Sequence, residues 1–304
     1  MKTNLIFIFI TVFYFTSCKK QEMTQPITTI NQWLNLNYAN DDKEYHKLDI
    51  YLPTTAKSNY KAVIVIYGSA WFGNNYKQAA YDAYGKVLLN AGFAVVSINH
   101  RASTDASYPA QINDIKAAIR FVRANATKYN INASFIGITG YSSGGHLASL
   151  AGATNEVKEF TVGKKTLDIE GKIGNYTSVS SSVSAVVDWF GPIDMTRMDG
   201  CIKPKGSDSP EAVLINGNPS DNLDMLALIS PMTFIDNNKP QFLVIHGDAD
   251  NVVPYCQSVF FAQALQEKGL LEDFITVTGG QHGPVTINDN TLKKMVDFFL
   301  KQSL

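Results

Sequence analysis

The stretch "FIGITGYSSGGHLA", from Phe135 to Ala148, decides how the rest of the chain is read. Its first residues form a short apolar, β-branched run of the kind that makes a buried strand, and the residues from Gly144 onward read as a helix. Between them Gly140-Tyr141-Ser142-Ser143-Gly144 fits G-x-S-x-G in one register only, because Tyr141 and not glycine stands two before Ser143. A strand-turn-helix element of this type pushes its serine out above the sheet, and side chains at the flanking glycines would collide with neighbouring backbone. Ser142 is therefore the candidate nucleophile. The backbone N–H of Ser143 is the first candidate donor for a developing oxyanion.

Outward from this element, strands and helices alternate. "HKLDIYLP", "KAVIVIYG", "GFAVVSINH", "SFIGITG", "SVSAVVDWFGP", "PQFLVIHGDAD" and "DFITVTG" read as strands. Most are continuous apolar runs, which suit strands covered on both faces of a parallel sheet. "NNYKQAAYDAYGKVLLNAG", "GGHLASLAGAT", "CQSVFFAQALQEKG" and "NTLKKMVDFFLKQ" read as helices, and "PAQINDIKAAIRFVRANATKYN" places Ile112, Ile115, Ile119 and Val122 on one helical face. The expected class is α/β, with a mostly parallel central sheet and helices on both faces. One domain over 41–304 carries polar, turn-rich insertions near 155–182 and 198–228, which serve either as loops beside a site or as padding.

A serine hydroxyl needs a base to take its proton, held in one tautomer by a carboxylate, and in this kind of element the acid and then the base follow the serine along the chain. Five histidines are available. His46 and His100 precede Ser142 and are expected to be structural. His146 lies one helical turn beyond it and points along the helix, which favours packing. His246 closes a strand and supports the loop after it. His282, in the glycine-flanked "VTGGQHGPV", is the candidate base. "VIHGDADNVVP" offers Asp248 and Asp250; Asp248 suits hydrogen bonds to its own turn, and Asp250 is the candidate acid. Asp194 in "FGPID" reads as a cap or loop brace. Further oxyanion donors are expected from "YGSAWFG", after an early strand.

With 26 basic against 27 acidic residues, no nucleic-acid surface or polybasic patch is indicated, which leaves small molecules or neutral polymers as partners. No His/Cys/Asp cluster has metal-ligand spacing and no phosphate-binding glycine loop appears, so neither metal nor cofactor is expected. Lys2, the apolar run Leu5 to Phe15 and then Thr16-Ser17-Cys18 resemble a bacterial lipoprotein signal. Residues 1–17 would be removed, Cys18 lipidated, and 18–40 left as a tether. The expected location is outside the inner membrane, anchored by lipid and facing the periplasm or the cell surface. Cys201 and Cys256 remain as a possible disulfide or as two free thiols.

Several motifs in order resemble a known family: "KLDIYLP", "VIYGSAWFGN", "YPAQINDIKAAIRFVRANATKYNI", "GYSSGGHLA", "DWFGPIDMT", "SPEAVLINGNPSDN", "HGDADNVVP" and "GGQHG". The chain resembles α/β-hydrolases of the esterase/lipase group related to hormone-sensitive lipase, and among them the acetyl-xylan-esterase-like and feruloyl-esterase-like proteins. The resemblance implies a serine carboxylester hydrolase with Ser142, Asp250 and His282 as triad. Short acyl esters are the implied substrates, with acetyl or feruloyl groups on polysaccharides as the candidates the resemblance suggests. The family's "HGGAW" loop reads Tyr67-Gly68-Ser69-Ala70-Trp71 here. Tyr67 replaces a bracing histidine and Ser69 a glycine, so Ser69 and Ala70 are expected as donors on a loop strained at Ser69. Trp71 is implied as a substrate contact or as core. Two other readings stand beside this one: a serine exopeptidase, marked by peptide turnover above ester turnover, and a non-catalytic binding protein on the same scaffold, marked by inactivity toward any short aryl ester.

Overall fold

A computed structural model describes residues 31–54 and 58–304. The expected signal segment, Cys18 and the tether as far as residue 30 lie outside the described residues. In chain order the strands are β1 (Gln32–Asn37), β2 (Lys47–Tyr51), β3 (Tyr60–Ile66), β4 (Ala94–Ile98), β5 (Ile131–Tyr141), β6 (Glu159–Val162), β7 (Lys165–Asp168), β8 (Ala185–Trp189), β9 (Gln241–Gly247) and β10 (Leu271–Val277). The helices are α1 (Lys77–Asn90), α2 (Ala110–Ala124), α3 (Ser143–Ala153), α4 (Pro210–Ile215), α5 (Leu223–Leu228), α6 (Cys256–Glu267) and α7 (Asp289–Gln302).

Eight strands form one sheet in the order β1-β2-β4-β3-β5-β8-β9-β10. From β4 through β10 all neighbours are parallel, and β2 joins β4 antiparallel with β1 added at the edge. Side chains alternate across the sheet, so Ala62, Ile64 and Ile66 enter one core with α2, α3 and α6, while Val63, Val65 and Tyr67 enter another with α1 and α7. Both faces are covered, which is why the strands read as unbroken apolar runs. The expected fold class holds: this is an α/β-hydrolase sheet. One expectation is corrected at the lead-in, where Gln32–Asn37 forms β1 instead of continuing the tether.

Helix α2 is buried well beyond its apolar face: Asp114, Lys116 and Arg120 have no exposed surface. Asp114 is paired with Arg101 and His46, and the first insertion explains the other two. Its antiparallel hairpin β6-β7 leads to Glu170, which pairs with Lys116 at 3.2 Å and Arg120 at 2.5 Å. The second insertion folds as α4, a 3-10 turn over Pro219–Asp221, and α5. A Cys201–Cys256 disulfide ties its start to the first residue of α6, deciding the cysteine question left open by the sequence. Ligands of parallel α/β sheets sit beyond the carboxyl ends of the strands. Ser142 follows β5, Asp250 follows β9 and His282 follows β10, all at that edge.

Candidate active site

Ser142 sits between β5 and α3 at φ 57° and ψ −126°, a left-handed backbone that costs a β-carbon-bearing residue about 1–3 kcal/mol. The surroundings hold it there. Its N–H donates to the Trp189 carbonyl at 2.9 Å, tying the turn to the end of β8. A Cβ on Gly140 would stand 2.4 Å from the Gly144 carbonyl oxygen, and one on Gly144 would stand 2.4 Å from the Tyr67 carbonyl oxygen. The two glycines are thus required by close backbone approach and not by an unusual φ.

His282 Nε2 lies 2.9 Å from Ser142 Oγ and its Nδ1 lies 2.7 Å from Asp250 Oδ2. An ionised Asp250 only accepts, so Nδ1 carries the proton and Nε2 is left to receive one from the serine hydroxyl. Asp250 is held from three directions. Its Oδ1 accepts the N–H groups of Val252 and Val253 at 2.8 and 3.0 Å, and His246 Nε2 approaches Oδ2 at 3.2 Å. Burial alone would raise the pKa of this carboxyl, but the hydrogen bonds from His246, His282 and Val252 outweigh it and hold the group well below the usual carboxylate range. The far nitrogen of His246, Nδ1, is 2.7 Å from the Ser258 hydroxyl, which fixes its ring. Phe190, itself at φ 42°, packs its ring edge-to-face on His282 at 4.7 Å between centroids.

The histidines and aspartates set aside in the sequence are accounted for. Asp248 accepts the Gly279 N–H at 2.6 Å, a brace between turns. Asp194 caps the 3-10 turn Met195–Arg197 through the Thr196 N–H and pairs with Arg197. His46 is wedged between Asp41 and Asp114, and His100 is buried under the ring of Tyr67. His146 has no exposed surface; Nδ1 accepts the Trp71 indole N–H at 3.1 Å, and Nε2 donates to the Ile229 carbonyl at 2.7 Å. Burial lowers its pKa to about 4, so it is a neutral strut and not a base.

The loop after β3 differs from expectation in an instructive way. Left-handed φ values fall at Ala70 (50°) and Trp71 (62°), not at Ser69. The Ser69 hydroxyl accepts the Gly73 N–H at 3.0 Å, and the Tyr67 hydroxyl donates to the Gly73 carbonyl at 3.1 Å. Both departures from the family pattern thus close the loop on the same residue. Ser69, expected as an oxyanion donor, instead gives its N–H to the Ser143 hydroxyl at 2.8 Å. Among the described residues the N–H groups of Ala70 and Ser143 have no acceptor, and both residues line the cavity at Ser142. The side-chain role of Ser143 carried no sequence signal, since the motif defines only its backbone.

That cavity measures about 330 Å³ and is bounded by Trp71, Met198, Lys205, Glu211 and Val253 besides the serines. Trp71 is 2% exposed and belongs to the main core, so it forms wall and packing at once. The second insertion supplies one whole side of the cavity. Such a constellation can take up an ester, form an acyl-serine and release it to water.

The BD-FAE family model matches residues 48–265. Esterase LipQ of Mycobacterium tuberculosis is 30% identical over 207 residues, covering 68% of this chain and 46% of that protein. The chain thus spans about half the length of this curated relative. Among solved structures, a bifunctional GH43-CE protein of Bacteroides eggerthii is 65% identical with a TM-score of 0.89, over 90% of this chain and 35% of that one. A truncated form of a carbohydrate esterase from gut microbiota is 56% identical with a TM-score of 0.88, over 90% of this chain and 96% of that one. With the elbow, the order of its partners and a match over most of its length, the chain belongs to the BD-FAE family.

Proposed function

We propose that the protein is a serine carboxylester hydrolase that removes short acyl groups from carbohydrates. The observation that carries this reading is the Ser142–His282–Asp250 relay, with 2.9 and 2.7 Å links at the carboxyl edge of the sheet. Ser142 Oγ attacks the ester carbonyl as His282 Nε2 takes its proton, and Asp250 stabilises the imidazolium that results. The oxyanion faces the N–H groups of Ala70 and Ser143. On collapse His282 returns the proton to the leaving alcohol, and water activated by the same nitrogen frees the acid. The likeness at 56% identity to a carbohydrate esterase supports the sugar side of the reading. The cavity of about 330 Å³ supports the short acyl group, being near the low end of small-molecule pockets. Incubation with acetylated and feruloylated oligosaccharides tests it: wild type releases acetate or ferulate and Ser142→Ala does not. Equal release by the variant, or none by a folded wild type, refutes the reading.

Cys18 as a lipid anchor belongs to the same proposal, because an anchored esterase would act on substrate arriving at a membrane surface. Wild type should sediment with membranes and Cys18→Ser should not; a variant that still sediments contradicts the anchor.

A further inference from the structure

We propose that Glu211 is a binding residue for the alcohol half of the ester. It accepts a hydrogen bond from a free hydroxyl beside the acylated one, so the substrates are partial esters of neutral polyhydroxylated compounds. The inference rests on the hydrolase reading above and goes further by naming the group that selects the substrate.

Glu211 lies in the first turn of α4 and is 5% exposed, yet it is one of the residues lining the cavity that holds Ser142. Its Oε2 is buried without a hydrogen-bond partner, and no hydrogen bond or ion pair reaches the carboxylate from any described residue. Lys205 borders the same cavity but forms no ion pair with it. Most other buried charges among the described residues are paired, and Asp188, whose Oδ2 is also without a partner, still accepts the Gly191 N–H through Oδ1. Asp114 is paired with Arg101, Lys116 and Arg120 with Glu170, and Asp250 with two histidines.

A carboxylate oxygen buried without a donor is unfavourable, and the positive end of α4, in whose first turn Glu211 lies, supplies charge complementarity but no hydrogen bond to it. Helix α4 is pinned in place. Ser209 caps it through the Ala212 N–H, the Leu214 carbonyl accepts the Tyr108 N–H at 2.8 Å, and Leu214 is fully buried. The helix therefore cannot shift to bring Glu211 to another partner. Being acceptor-only, the carboxylate is satisfied by donors. A hydroxyl on the carbon next to the ester supplies one at the reacting centre, whereas a long acyl chain would press hydrocarbon on the charge and an acidic substrate would be repelled.

The test uses the full-length enzyme with three acetates: a mono-acetylated methyl pyranoside, its analogue lacking the neighbouring hydroxyl, and an aryl acetate with no hydroxyl at all. Sites built to bind a substrate hydroxyl discriminate strongly against analogues that lack it, so wild type should prefer the hydroxylated sugar over its deoxy analogue by on the order of tenfold or more in kcat/KM. In Glu211→Leu, which removes both acceptor oxygens, that preference should collapse to within about twofold, and the ratio of sugar to aryl acetate turnover should fall in step. Wild type that turns over the deoxy analogue equally well overturns the proposal without any variant. So does a Glu211→Leu loss of the same size on all three esters with unchanged thermal melting. So does faster turnover of an analogue bearing an ammonium group in place of the hydroxyl, which would make the site a cation pocket. Failure of the underlying reading looks different: wild type would then cleave none of the three, aryl acetate included.

Discussion

At the scale of single residues, chemistry here is decided by what holds each titrating group. Asp250 accepts from both His282 and His246 through one oxygen, so replacing its carboxylate disturbs two rings at once. Asp250→Asn presents an amide to His282, favours the wrong tautomer, and should lower kcat on the order of 10³ to 10⁴-fold with the fold intact. Stopped assays with an aryl acetate check this; retention of activity would hand the acid role to Asp248. His146 contributes one pH-dependent part of the stability. It stays neutral in the folded chain down to about pH 4, against an ordinary value of 6.5. Between those values the unfolded chain binds the extra proton, so unfolding free energy falls as pH drops from 6.5 to 4. The loss attributable to this fully buried ring is about 3 kcal/mol. Denaturant melts at pH 7 and pH 4.5 should show it in wild type and not in His146→Asn. Chain order and elimination picked His282 and Asp250 out of the sequence. The linkage of Trp71 to His146 and the orphaned Glu211 were not legible, because each depends on a contact between segments far apart in sequence.

At the scale of elements, the loop after β3 illustrates how a departure from a family pattern can be absorbed. Tyr67 and Ser69, the two departures from the resembled pattern, both bind Gly73, one through its carbonyl and one through its N–H. The left-handed backbone falls instead at Ala70 and Trp71, both of which line the cavity. The sequence located the loop but placed its strain at Ser69, since only coordinates assign φ. Strands and long helices were readable from apolar runs and spacing. The polar edge strand β1 ("QWLNLN") and the short helices α4 and α5 were not, because brief elements gain stability mainly from the surface they pack on. The disulfide fixes one such element. It closes a loop of 55 residues and anchors the segment that supplies Met198, Lys205 and Glu211 to the cavity. Chain-entropy reasoning gives about 4 kcal/mol for a loop of this size. Cys201→Ser with Cys256→Ser should therefore lower stability by about 2–4 kcal/mol in urea melts, and KM should rise more than kcat falls as that wall loosens. An unchanged melt would mean the reduced chain already holds the same wall.

At the scale of the molecule, the sheet does most of the placement. Parallel strands deliver Ser142, Asp250 and His282 to one edge although 140 residues separate the serine from the histidine. Two insertions then differentiate the scaffold: one buries charges over α2, and the other walls the cavity. Alternation along the chain made the sheet legible, and G-x-S-x-G marked its centre. The shape of the pocket was not, since it is set by the insertions. The central claim is that Ser142 is activated by this relay as a covalent nucleophile. Incubating the folded protein with an organophosphonate and mapping the adduct by peptide mass spectrometry tests it directly. The account predicts one stoichiometric adduct on the peptide bearing Ser142, abolished in His282→Ala. An unlabelled protein, or an adduct on Ser143 or elsewhere, would contradict it.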